Sequence, residues 1–146
     1  MNAQSTRRLL LVQHAQIRAD LASCVALAEK LVAGTASRAT FDQAVAQLRF
    51  DIDEHTGTET LAIRDLLEDA EEWGTVLLDR MVEEHVGAHD ALWAALTGSS
   101  HEIAARMKDL AEQLDAHMAA EERTFLSPKV LQGEVISRHR SKRSYE

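Results

Sequence analysis

Histidine and glutamate stand one helical turn apart at two places, His55-x3-Glu59 and His117-x3-Glu121, and three more histidines, His14, His85 and His89, lie before and between them. Residues four apart on an α-helix share a face, with Cβ atoms about 5–6 Å from each other. Each pair can therefore hold one metal ion through its imidazole while its carboxylate reaches toward a second. Two such pairs on two helices make a clamp, and five histidines with two glutamates are the residue set of a dinuclear iron site.

A lone histidine on an apolar face is usually a satisfied core residue, and that reading would account for any one of the five. It strains for the whole set, because all seven residues fall on apolar stripes of helical spacing. Burying an ionised carboxylate without a partner costs several kcal/mol, so Glu59 and Glu121 demand cations or strong donors. No lysine occurs on these stripes. Metal ions satisfy both carboxylates, and mixed imidazole and carboxylate donors suit iron, manganese or zinc better than magnesium or calcium. His101, beside two serines at a helix start, and His139, in a basic tail, fall off the stripes and are expected to be exposed and non-ligating.

Four helical segments must carry these residues. The first is predicted over about 5–32, where Leu10, His14, Ile17, Leu21, Cys24, Ala28 and Leu31 recur at three- and four-residue steps before Gly34. The second covers about 40–67, with Phe41, Val45, Leu48, Ile52, His55, Glu59, Ala62, Ile63 and Leu66 on its inward face. The third, about 71–96, aligns Leu78, Met81, His85, His89, Leu92 and Leu96, then stops at Thr97-Gly98. The fourth opens with the capping-box pattern Ser99-x-x-Glu102 and continues through Ile103, Met107, Leu110, Leu114, His117 and Glu121 to Ser127-Pro128. Long helices and short joints predict an all-α, antiparallel up-down-up-down four-helix bundle over residues 1–128. Residues 129–146 form a basic tail, read as a short helix followed by a disordered end. A weak repeat accompanies this order: His14 precedes one His-x3-Glu pair and His85 the other, and Arg18 stands where the counterpart of His89 would be.

Other chemistries fit poorly. There is no glycine-rich phosphate loop or nucleophile elbow, and His85-Val-Gly-Ala-His89 lacks the glutamate of a zinc-protease motif. No catalytic residue can be named from the chain. The net charge of −8 disfavours nucleic acid and anionic membranes as partners. No apolar run approaches the roughly 20 residues needed to cross a bilayer, and the apolar stretch Leu9 to Val12 is too short for a secretory core, so a cytoplasmic protein is expected. The single cysteine, Cys24, excludes an internal disulfide and a cysteine-based metal site within one chain, and reads as a small core residue.

Across about Leu10 to Pro128 the sequence resembles the hemerythrin family, in particular its bacterial HHE cation-binding members, through the segments DEHTGTET, MVEEHVGAHDALWAAL and LDAHMAAEERTFLSP. The resemblance implies two non-haem iron ions joined by an oxo or hydroxo bridge, with His85, His89 and His117 on one and His14 and His55 on the other. Glu59 and a carboxylate after His117 would bridge them. Oxygen-carrying members place that carboxylate five residues after the histidine, at Glu122, and the HHE pattern four after, at Glu121. Geometry favours Glu121, which continues the Leu110, Leu114, His117 stripe. O2, or a related small molecule such as peroxide or nitric oxide, is the implied ligand.

Three readings follow: an O2 carrier, store or sensor; a di-iron oxidoreductase turning over peroxide, nitric oxide or an organic substrate with O2; and, well behind, a structural bundle with incidental histidines. Lack of a signalling domain favours a carrier or small enzyme over a sensor. Apolar walls from Leu10, Ile17, Leu114 and Phe125 would favour reversible binding, whereas a cavity permitted by Gly57, Gly87 and Ala88 would favour turnover. Oligomeric state is not fixed by the sequence.

Overall fold

In the computed structural model the described residues are 3–69, 72–123 and 126; of these, the side chains of 3, 4, 63–69, 72–78, 80–82, 84 and 85 are outside the description. Four helices form, α1 (Ala3–Val32), α2 (Arg38–Asp69), α3 (Glu72–Ala95) and α4 (Ser100–Arg123), with no strand among the described residues.

The joints follow from a few residues. Gly34 adopts φ 77, the left-handed conformation that suits glycine. Its amide donates to the Leu31 carbonyl at 3.1 Å and that of Thr35 to Lys30 at 2.8 Å, a paired closure that ends α1. Ser37 caps α2, its Oγ accepting from the Thr40 amide at 3.1 Å, and Ser99 caps α4, accepting from the Glu102 amide at 3.2 Å. Between α3 and α4, Arg106 donates to the carbonyls of Ala95 and Thr97 at 2.9 and 3.1 Å.

Contacts give the helix directions. α1 packs along α2 and α4, and α3 touches both of these on the other side. Ser100 at the start of α4 donates to Asp42 near the start of α2 at 2.6 Å, whereas Arg7 near the start of α1 donates to the Leu126 carbonyl beyond the end of α4 at 2.9 Å. Thus α2 and α4 run together and α1 runs against them, in an antiparallel four-helix bundle.

Its interior is divided. Leu21, Cys24, Ala28 and Leu31 of α1 pack with Phe41, Val45 and Leu48 of α2, Leu96 of α3 and Ile103 and Met107 of α4 in one apolar cluster toward the 34–37 and 96–99 turns. Toward the opposite end, the same faces bury His14, His55, Glu59, His89 and Glu121. The α1 stripe is buried throughout, and the α2 stripe is buried from Phe41 through Glu59, with Ala62 half-buried. Cys24 is fully buried, and burial, followed by the charge of Asp20, pushes its thiol up to about 11. His101 is exposed. Phe125, His139 and the 129–146 tail lie outside the described residues, as do the side chains of Ile63, Leu66, Leu78, Met81 and His85. No helix among the described residues is long and apolar enough to cross a membrane.

Candidate metal centre

Three helices meet at the buried polar end. His14 comes from α1, His55 and Glu59 from α2, and Glu121 from α4; all are buried, and one ligand-type atom from each lies within 4.8 Å of the others. The Nε2 atoms of His14 and His55 are 3.1 Å apart, and His55 Nε2 is 2.9 Å from Glu59 Oε1. His14 Nε2 is 3.9 Å from Glu59 Oε1 and 3.7 Å from Glu121 Oε1. The same Glu121 oxygen is approached by His117 Nε2 at 3.0 Å, and the His117 ring meets that of His89 from α3 edge-on, with centroids 5.5 Å apart. Six of the seven candidate ligands therefore form one connected group. The side chain of the seventh, His85, is outside the description.

Hydrogen bonds behind the rings fix which nitrogen faces the cluster. Thr58 donates its hydroxyl to the Glu54 carbonyl and accepts from the Gln13 amide at 3.0 Å, which leaves Gln13 Oε1 to accept from His55 Nδ1 at 2.9 Å. Thr56 likewise donates to the Ile52 carbonyl and accepts from His89 Nδ1, both at 2.8 Å. With the proton on Nδ1 in each ring, the Nε2 lone pair is available to a cation. His14 Nδ1 faces Glu122 Oε1 at 3.6 Å, and Glu122 is itself held by Arg18 Nη2 at 2.8 Å, with Arg18 Nε also donating to Asp115 at 2.8 Å. Arg18, at the position without a histidine in the weak repeat, anchors the carboxylate behind His14.

The donor set fits a transition-metal ion. Ligand atoms at right angles about an ion at roughly 2.1 Å stand about 3.0 Å apart, close to the His14–His55, His55–Glu59 and His117–Glu121 separations of 3.1, 2.9 and 3.0 Å. Glu121 gives a second sign. Burial above all, then a hydrogen bond with Glu59 and the charges of Glu59 and Glu122, pushes its carboxyl up to about 11. Without a cation that carboxyl keeps its proton; a divalent ion among these groups takes the proton's place and lets both carboxylates ionise.

Gln13, Thr56 and Arg18 were not among the ligands that spacing selects, because their role depends on contacts between helices, and Glu122, which the five-residue spacing selects, stands behind His14 with Arg18. Adjacency to His14 and His55 was the available signal for Gln13 and Thr56.

No protein-family model, curated protein or solved structure matches this chain.

Proposed function

We propose that the chain is a non-haem di-iron protein of the hemerythrin-like kind that binds O2 as a carrier, store or sensor. The observation that carries this reading is the buried convergence of His14, His55, Glu59 and Glu121 from three helices. His14 and His55 would hold one iron and His89 and His117, with His85, the other; Glu59 and Glu121 would span the pair. When bound, such an ion pair would supply the two electrons that O2 binding requires. Around it the chain's own part is positional: Gln13 and Thr56 hold His55 and His89 as Nδ1–H tautomers, while the buried Leu10 and Ile17 flank His14 one turn to either side on α1.

One feature favours a second reading, an oxidoreductase. A cavity between α3 and α4 reaches His89 and His117, and Ala88 lies on it, which gives an organic substrate room beside the proposed ligands. Gly57 and Gly87 are exposed. Optical spectra separate the two readings. For a carrier, anaerobically reduced, iron-loaded protein exposed to O2 changes its visible absorption and regains the reduced spectrum when O2 is removed. Irreversible oxidation with sustained consumption of added peroxide would contradict the carrier and favour the enzyme.

A further inference from the structure

We propose that the cavity between α3 and α4 is a binding site for a single-ring aromatic molecule bearing one polar substituent, of which phenol is the simplest. Its volume is about 170 Å³. An apolar cavity of about 150 Å³ suffices for benzene, whereas O2 would leave most of this space empty. The buried Leu92, Leu110 and Leu114 supply apolar walls; Ala88 and Ala91, both exposed, stand where the cavity meets solvent. Larger side chains at those two positions would narrow the opening.

Polar groups are few and grouped. The rings of His89 and His117 and the Gln113 amide complete the lining, and the amide gives one hydroxyl or amine a partner while the ring rests on leucine. A chain-like polar metabolite would leave most of its hydrogen-bonding groups against apolar walls, at a desolvation cost that such walls cannot offset. The cavity exists without any metal; only its significance as a substrate position beside iron rests on the proposed function.

Titration of phenol and benzene into the iron-loaded and the iron-free full chain, followed by protein chemical shifts, tests the proposal. Both probes are expected to saturate, phenol about fivefold more tightly, as one hydrogen bond allows. Ala91→Phe should weaken both by at least about tenfold while keeping the iron content and melting temperature of the unsubstituted chain. Should Ala91→Phe fail to fold, Ala88→Leu, at a second exposed rim position, reads the same effect. Absence of saturation, or rim variants that bind as the unsubstituted chain does, overturns the proposal. Iron content is measured separately. Probe binding without iron uptake supports the cavity and defeats the metal reading, and iron uptake without probe binding does the reverse.

Discussion

Two adjacent glutamates near the end of α4 have different partners. Glu121 is buried with His117 and His14, whereas Glu122 is partly exposed and paired to Arg18. Glu121→Gln replaces an anionic donor with a neutral amide, so iron content and iron–iron magnetic coupling should fall, while Glu122→Gln should retain the iron; magnetic susceptibility and metal analysis check both. The opposite pattern would make Glu122 the bridge. Thr56 offers a finer test, because Thr56→Val keeps the side-chain shape but removes the acceptor for His89 Nδ1. Metal affinity should drop roughly 10–100-fold, measured by chelator competition, with the helix content unchanged. In the sequence the two family spacings selected different carboxylates, and only the helical stripe through Leu110, Leu114 and His117 favoured Glu121 over Glu122. Spacing could not reveal Gln13 and Thr56 as imidazole holders, because that depends on how α1, α2 and α3 rotate against one another.

Helix limits were legible to within a few residues because their causes are local. Gly34, Ser37 and Ser99 each act through a backbone conformation or a hydrogen bond to a near neighbour. Asp20 was not legible, since a carboxylate beside Leu21 gives no sequence signal of burial. It lies only 8 % exposed in α1. Burial, then a hydrogen bond with Asp51 of α2, raises its carboxyl from 3.8 to about 6, against the lowering effect of the bond from Gln16. The folded chain thus binds more protons than the unfolded chain between about pH 4 and 6, and stability from this group falls as pH rises through that window. Asp20→Asn should flatten the slope and raise stability at neutral pH by roughly 1–2 kcal/mol. Denaturant midpoints across the window check it, and a slope equal to that of the unsubstituted chain would contradict it.

At the scale of the molecule, the alternation of stripes and short joints specified the bundle, because every long helix must bury its apolar face against neighbours. The division of the interior appears only in the structure: apolar stripe residues gather toward one pair of turns, and the histidine and glutamate positions toward the other end. The cavity was only half legible. Ala88 marked a place where side chains are small, but the open space lies between residues of α3 and α4 that no single-helix pattern brings together. The central claim is that the polar end is a two-iron site, and metal analysis after anaerobic reconstitution of the full chain with ferrous iron tests it most directly. Two irons per chain is the expected result; one iron, or zinc alone with no iron uptake, would contradict it.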